Sequence, residues 1–342
     1  MIPNRKQARK IIDQVRRLPQ DDDVWQATMR RVRTWIKRKN KPSYRPYVVM
    51  IISTNKARIV RTHLIEEPLS AKELFFELLQ AMRRPMWFSG GKRRPTIIHL
   101  DHDEHAKELA PQLQKLNIRL LYRHSLPMIK QAMHEMEKQM NKVELLPGLL
   151  SLPRISPPLV GYLYQQAKEF YELTPWCWLN DKHPIEIRYP VNTRPRYAIV
   201  MGSGGTVFGL AIYDSLEGLR QILSPSTSKE FKSPPTFALY FDKAQAVAFD
   251  DLDALELYNW PIAGKQAYPI FARTKSDEQF QLPQAKDLFW AEGALAGVVG
   301  YLRDYMQLQK PYHIQPIEIE IPVTTISGEK QVYLRLPVNL DL

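Results

Sequence analysis

Residues 47–105 constrain the fold of this chain most, because buried strands and a capped helix alternate there within a short stretch. Residues 47–54 are almost continuously apolar, the pattern of a strand buried on both faces. Ser70 and Glu73 have the spacing of a capping box at the start of a helix. The predicted elements are a strand over 47–54, a strand over 57–65, a helix over 70–82 and a strand over 96–100.

The pattern continues to about residue 143, with a strand over 118–122 between two further helices. This order predicts an α/β domain over 47–143 with a mainly parallel sheet and one antiparallel edge. Four prolines in 144–160 indicate a Pro-rich linker. Residues 161–342 mix helices and hairpins and are predicted to form an α+β domain, with hairpins at 197–213 and 314–337.

The first 46 residues are predicted to be a basic helical arm, because they hold 14 Lys and Arg residues against four Asp. Apolar residues from Ile11 to Leu18 share one stripe of a helix over 4–18. Trp25, Met29 and Val32 recur at helical spacing and predict a second helix over about 21–38. The two together would form a basic helical hairpin ahead of the α/β domain, and this charge asymmetry favours a polyanionic partner.

Composition narrows the class of protein. No apolar run is long enough to span a bilayer, and no apolar signal region follows the basic N-terminus. The single cysteine, Cys177, excludes an internal disulfide and a multi-cysteine zinc site. We therefore expect a protein without a membrane span, located in the cytoplasm.

Residues 47–140 resemble the ribonuclease H-like core of integrases and transposases. The resemblance rests on VVMIIST, the capped helix, PTIIHLDHDEH and LQKLNIRLLY. It implies that Asp101 is the family's second aspartate and that Glu135 or Glu137 stands for its later acid, with Asp103 a further candidate. The family's first-strand aspartate would fall at Ser53–Asn55, where no carboxylate stands, and its third strand is not evident. Two-metal phosphoryl transfer needs several converging carboxylates, so this pattern favours a scaffold without that activity.

A metal site is a weaker interpretation of the segment around Asp101. His99 and Asp101 share one face of a strand, and His102 or His105 could join them, which would suit Zn²⁺ or Mn²⁺. The alternative is that Asp101 or Asp103 caps the next helix. No cofactor is evident from the sequence, and a divalent metal at Asp101 is not the favoured interpretation.

Basic residues beside aromatic rings predict a nucleic-acid-binding surface at loop 83–95, because cations follow phosphates while rings stack on bases. The alternative is that Trp87 and Phe88 anchor the loop to the core. The candidate nucleic-acid-binding residues in the arm and the loop are Arg30, Arg31, Arg33, Lys37, Arg38, Arg83, Arg84, Trp87, Lys92, Arg93 and Arg94.

Both halves also resemble an uncharacterised prokaryotic family in which two such modules occur together. The resemblance is carried by VVMIIS to RRPTIIHLD and by PWCWL with YAIVMGSGGTVFGLAIYD. It implies two domains and no particular activity. The sequence thus predicts a non-catalytic protein that binds nucleic acid or an acidic protein surface, with interaction or small-ligand binding in its second domain. The alternative is a divergent, nuclease-like phosphoryl-transfer enzyme centred on Asp101.

Overall fold

The chain divides into two compact units, residues 1–144 and 145–342. The structure, a computed structural model, describes residues 4–141, 145–223, 236–274, 280–306 and 309–340. The predicted end of the α/β domain at residue 143 lies outside the described residues. The predicted linker is structured where it is described, since Leu149 is buried in the core of unit 2.

Unit 1 is a five-stranded mixed sheet with helices on both faces. Its elements are α1 (Arg5–Arg16), β1 (Val24–Arg31), β2 (Ile36–Arg38), β3 (Lys41–Tyr44), β4 (Tyr47–Ser53), β5 (Arg58–Ile65), α2 (Ala71–Arg83), β6 (Ile97–Leu100), α3 (Asp103–Gln114), β7 (Arg119–Tyr122) and α4 (Pro127–Asn141). The strand order is β5-β4-β1-β6-β7. Strands β5, β4 and β1 pair antiparallel, whereas β1, β6 and β7 pair parallel.

The helical hairpin predicted for the first 46 residues is wrong in its second half. Residues 24–31 form β1, the central strand of the sheet, hydrogen-bonded to β4 on one side and β6 on the other. Trp25, Ala27 and Met29 alternate on one face of β1 and pack in the same core. The alternation typical of a strand was not recognised in the sequence, because Trp25 and Met29 also have the spacing of a helical stripe. Pairing with distant strands overrides such a local preference.

The two faces of the unit 1 sheet have separate cores. Residues from α1, α2 and α3 cover the face that carries Trp25. Helix α4 covers the opposite face, where Ile129 and Met133 pack on Val48 and Met50. Strands β2 and β3 form a separate two-stranded ribbon between β1 and β4. The side chains on β1 therefore point alternately to a core shared by three helices and to the face covered by α4.

Unit 2 is an eight-stranded antiparallel sheet in the order β13-β12-β11-β10-β9-β8-β15-β14. Its elements are α5 (Pro157–Glu172), β8 (Ile185–Arg188), β9 (Arg196–Met201), β10 (Phe208–Tyr213), α6 (Leu216–Leu223), β11 (Thr236–Asp242), α7 (Phe249–Tyr258), β12 (Tyr268–Thr274), β13 (Phe280–Gln281), α8 (Ala285–Asp304), β14 (Ile317–Thr325) and β15 (Gly328–Leu336). Helices α5 and α8 contribute to the larger core, and α6 packs on a smaller cluster that includes Tyr197 and Tyr213. Both predicted hairpins are confirmed, as β9–β10 and β14–β15.

Glycines let the buried helix α8 approach the sheet closely. A Cβ atom at Gly293 would lie 2.3 Å from the Tyr189 ring, and one at Gly297 would lie 2.6 Å from Val332 Cγ1. Such distances require the ring or the helix to move. These positions therefore set the distance between α8 and the strands beneath it.

We expect Gly293→Ala to destabilise unit 2 by about 1–3 kcal/mol through overpacking. The gain of about 1 kcal/mol in helix propensity offsets part of this cost. Urea unfolding followed by amide exchange in α8 measures the change. Gly264→Ala is the control, because a Cβ there meets no atom within 4 Å. Equal stability of Gly293→Ala and the unaltered chain would show that the Tyr189 ring moves aside without cost.

Candidate nucleic-acid interface

Asp101 lies at the end of β6, beside the central strand β1, and its carboxylate is already compensated. Thr28 Oγ1 donates to Asp101 Oδ2 at 2.8 Å, and Arg30 Nε donates to the same oxygen at 2.6 Å. The side chain of Asp101 is only 4% exposed, whereas that of Arg30 is 46% exposed. The main catalytic candidate from the sequence, Asp101, is therefore already in contact with a hydroxyl and a guanidinium.

The other candidate carboxylates have separate surroundings. Glu137 is buried on α4 and accepts a hydrogen bond from the backbone N–H of Arg33 at 3.0 Å. Glu135 is exposed on the same helix. Asp103 forms an ion pair with Lys107 one turn later in α3. Each therefore has its own local surroundings, and among the described residues these carboxylates and Asp101 form no group that could hold a metal ion.

The candidate metal ligands do not gather around one point. His102, and neither Asp101 nor Asp103, is the N-cap of α3, with Nδ1 accepting from the His105 backbone N–H at 3.4 Å. The His102 and His105 rings stack with centroids 4.0 Å apart. Within the described parts of the chain, no three His, Cys, Asp or Glu side chains are arranged to hold a metal ion.

Two histidines of this segment, His99 and His105, have lowered pKa values and so favour the neutral form. Burial lowers the pKa of His99, and the nearby Arg123 cation lowers it further. Burial also lowers the pKa of His105, assisted by the neighbouring His102. Neutral rings add no positive charge to the surface at neutral pH, so its basic character comes from Lys and Arg.

The predicted basic arm contains a basic β-ribbon. Between β1 and β4 the chain forms the β2–β3 hairpin, which turns at Lys39 and Asn40. Residues 30–45 contain eight Lys and Arg residues and no Asp or Glu. Lys37, Lys39 and Lys41 are exposed at and near the turn. Of these, Lys39 and Lys41 were missed as candidates because they lie beyond the helix predicted to end near residue 38.

The arginines in and beside the ribbon are held by other groups. The Arg38 guanidinium lies 4.5 Å from the centre of the Tyr44 ring and forms an ion pair with Glu66. Arg31 lies 5.2 Å from the centre of the Tyr47 ring. The backbone O of Arg33 accepts from Asn141 Nδ2 at 2.6 Å. These contacts fix the ribbon to the body of unit 1 and leave its lysines as the exposed charge.

Two arginines of loop 83–95 are structural. Arg93 is 3% exposed, and its guanidinium contacts Asp23 at 3.3 Å and Asp21 at 3.4 Å. Arg94 is buried and donates to the backbone oxygens of Leu18 and Leu116 at 3.1 and 2.6 Å. Both side chains tie the loop to the segment between α1 and β1. They are therefore turned away from any ligand on the loop surface.

Trp87 is the most exposed large apolar side chain among the described residues, at 91%. It lies in a 3₁₀ turn, Trp87–Ser89, and its ring meets the edge of Phe88 with centroids 5.5 Å apart. Arg84 and Lys92 flank the turn and are exposed. Arg58, on the edge strand β5, donates to the backbone oxygen of Phe88. The alternative that Trp87 anchors the loop does not fit this exposure, so the ring is free to stack on a ligand.

Arg83 is half-buried at the C-terminal end of α2, where it contacts Gln80 at 3.5 Å. The surface that remains available is Trp87 with Arg58, Arg84 and Lys92, and we call it the Trp87 surface. Arg58 was missed in the sequence because its place beside Phe88 depends on packing between β5 and the loop, 30 residues apart.

Unit 2 contains a small pocket beside α7. Its volume is about 60 Å³, and Leu149, Tyr240, Asp251 and Phe271 are among its lining residues. This is room for a few water molecules. No helix among the described residues is long and apolar enough to cross a membrane.

The fold and surfaces define a two-domain protein, with a basic α/β unit followed by an antiparallel sheet unit. Residues 11–137 match the family described as Domain of unknown function (DUF6930), and residues 161–310 match Domain of unknown function (DUF7309). No curated protein matches the chain. The two matches together cover most of the chain, which is consistent with an uncharacterised two-domain family.

Proposed function

We propose that the chain is a non-catalytic protein that binds single-stranded nucleic acid through the Trp87 surface of a ribonuclease H-like unit. The observation that carries the proposal is the exposure of the Trp87 ring beside three exposed cations, Arg58, Arg84 and Lys92. Stacking on an aromatic face accepts any base, while neighbouring cations follow the phosphates. A preference for single strands follows, because bases in a duplex are already stacked on each other.

The strand order supports the ribonuclease H-like part of the proposal. Three antiparallel strands followed by two parallel ones, in the order 3-2-1-4-5, is the order expected of that fold. In this assignment β1 is the family's first strand, and β4 and β5 are its second and third. The first-strand position is then Thr28, which bonds to Asp101, in place of Ser53–Asn55.

The contacts of Asp101 support a non-catalytic role. A metal at Oδ2 of this carboxylate would have to displace Arg30, whose positive charge already lies beside that oxygen. Thr28 supplies a neutral hydroxyl where two-metal chemistry needs a bridging carboxylate. Cleavage of DNA or RNA with Mn²⁺ that is abolished by Asp101→Asn would contradict this part of the proposal. An interaction or ligand-binding role for unit 2 and a cytoplasmic location stay predictions.

Trp87→Ala is expected to weaken binding of a mixed-sequence 20-nucleotide single strand by about 5- to 150-fold. This corresponds to loss of about 1–3 kcal/mol of stacking on one base. Trp87→Phe should keep most of the affinity because it retains an aromatic face. Fluorescence anisotropy at 50 and 200 mM salt, with labelled DNA and RNA, measures these changes. Binding should strengthen as salt falls, since phosphate contacts release counterions.

Leu257→Ala is the matched control, because Leu257 is 72% exposed but lies in unit 2. Its affinity should equal that of the unaltered chain. Both variants should have nearly the same free energy of unfolding as the unaltered chain, since surface substitutions change stability by about 0.5 kcal/mol or less. Equal binding by Trp87→Ala would overturn the site. Binding of poly-L-glutamate with no binding of nucleic acid would instead identify an acidic protein as the partner.

A further inference from the structure

The β2–β3 ribbon is a second charged surface, at the opposite end of the sheet from Trp87. Arg93 of the Trp87 loop contacts Asp23, directly before β1, whereas the ribbon begins after Arg31 at the other end of that strand. Eight residues of strand span about 27 Å. The ribbon is therefore a surface separate from the Trp87 surface.

The shape of the ribbon selects one class of nucleic acid. Its strands contain three and four residues, so it is about 10–13 Å long at about 3.3 Å per residue. The major groove of B-form DNA is about 12 Å wide and 8.5 Å deep, and it admits a two-stranded ribbon. The major groove of A-form RNA is deep and too narrow for this. The dimensions therefore favour duplex DNA over duplex RNA.

The charges on the ribbon fit the phosphate walls of such a groove. Lys37, Lys39 and Lys41 are exposed, and Asn40 between them adopts a left-handed conformation at φ 59° that closes the two-residue turn. Glu66 pairs with Arg38, which lies opposite Lys41 next to the turn, and so neutralises one of the cations there. Lys37, Lys39 and Lys41 remain as the exposed cations at and near the turn.

The base of the ribbon is rigid enough to hold this shape before binding. The Val32 N–H donates to the Pro46 oxygen at 2.8 Å, which joins the two ends of the ribbon. The Arg38 guanidinium stacks on Tyr44 across the strands. A preformed element loses less conformational entropy when it binds.

We propose that the β2–β3 ribbon enters the major groove of double-stranded DNA and contacts its phosphates through Lys37, Lys39 and Lys41. This goes beyond the single-strand site and does not depend on it. Together the two surfaces would let unit 1 hold a duplex at one end of its sheet and an unpaired strand at the other.

The test compares a 20-base-pair DNA duplex with an RNA duplex of the same sequence. The unaltered chain is expected to bind the DNA duplex at least about tenfold more tightly, because only its groove admits the ribbon. In the triple variant Lys37→Gln, Lys39→Gln, Lys41→Gln, the slope of log K against log salt should fall by about 2.7, which is about 0.9 for each lost phosphate contact. The preference for DNA should disappear with it.

The control removes the same charge from unit 2, as Lys243→Gln, Lys265→Gln, Lys330→Gln, three exposed lysines. Its slope should match that of the unaltered chain. An unchanged slope in the ribbon variant, or equal binding of both duplexes by the unaltered chain, overturns the proposal. Loss of poly-L-glutamate binding with duplex binding retained also overturns it, in favour of an acidic protein. Single-strand binding is measured in parallel for Trp87→Ala and the unaltered chain. Equal single-strand binding by the two would show that the Trp87 site is wrong, and it would leave the result for the ribbon unaffected.

Discussion

Replacement of Arg273 by methionine is expected to destabilise unit 2 by about 3 kcal/mol, because it leaves a buried carboxylate without its main partner. Arg273 holds Asp287 through two parallel bonds, Nε to Oδ2 and Nη2 to Oδ1, both at 2.9 Å. Asp287 is fully buried at the start of α8, and it also accepts from the backbone N–H of Gln284 at 3.0 Å. Loss of Arg273 therefore affects both the β12 contact and the cap of α8.

The expected effect lies at the lower end of the range for broken buried pairs, about 3–5 kcal/mol, for a structural reason. Arg196 Nη1 lies 3.3 Å from Asp287 Oδ1 and can compensate part of the charge. Equilibrium urea unfolding, with amide exchange in α8 and β12 to isolate unit 2, measures the change. Arg303→Met is the control, because Arg303 and Asp304 are 59% and 54% exposed in their pair, and exposed pairs contribute little.

A second variant separates the loss of charge pairing from the loss of packing. The double variant Arg273→Met, Asp287→Leu removes both charges, so it should be more stable than Arg273→Met alone, as apolar replacements of buried pairs often are. The bonds from Arg273 lower the pKa of Asp287 against the opposing effect of burial. The pair therefore stabilises the fold above the ordinary carboxyl pKa, and this stability is lost as pH falls through the lowered pKa. If the single and double variants have equal stability, the pair is not what stabilises this region.

Local patterns in the sequence were sufficient to predict elements whose signals are short-range. The Ser70–Glu73 capping box is present at the start of α2, with reciprocal bonds. The hairpin around Ser327 and Gly328 is present as β14–β15. In both cases the determining contacts join residues that lie close together in the chain.

The predictions that failed depend on contacts between distant residues. Strand β1 is specified by its neighbours β4 and β6, which follow it by more than 15 and 65 residues. Arg93 and Arg94 belong to a basic loop, and their burial depends on Asp23, Leu18 and other groups outside that loop. Charge patterning identified which segments are basic, but only the fold separates the exposed cations of the Trp87 surface from those used to build the unit.

The same limit applies to Asp101. The sequence predicted its position at the end of a strand. The residues facing it were expected at Ser53–Asn55, because residues 24–31 were predicted to be a helix and strand β1 was therefore missed. With β1 in place, Thr28 and Arg30 are two residues apart and share a face, and both reach the carboxylate. The register of β1 against β6 therefore explains why Asp101 contacts a hydroxyl and a guanidinium.

Asp251→Asn is expected to stabilise unit 2 at pH 8 by about 2–4 kcal/mol and to have little effect near pH 4. Asp251 is buried in α7 and accepts from the Leu149 backbone N–H at 2.7 Å. Burial raises the pKa of Asp251 to about 7, although the bond from Leu149 opposes this. In the unfolded chain the same group ionises near its ordinary pKa of 3.8.

The sign of the pH dependence follows from these two values. Between about pH 4 and 7 the folded chain holds a proton on Asp251 that the unfolded chain releases, so this contribution to stability declines as pH rises. Asparagine keeps an oxygen to accept from Leu149 and carries no charge, so its contribution is independent of pH. Urea unfolding of both proteins from pH 4 to 8 gives the difference in the free energy of unfolding at each pH.

The matched control is Asp242→Asn, because Asp242 is exposed at the end of β11 and its substitution should change stability little at any pH. The prediction concerns the difference between Asp251→Asn and the unaltered chain, since other carboxylates, including Asp287, add their own pH dependence to both. A difference that grows steadily from pH 4 to 7 and then levels off supports a protonated Asp251 in the folded unit. A constant difference across the range would mean that Asp251 is ionised in its pocket and that water entering the cavity solvates it.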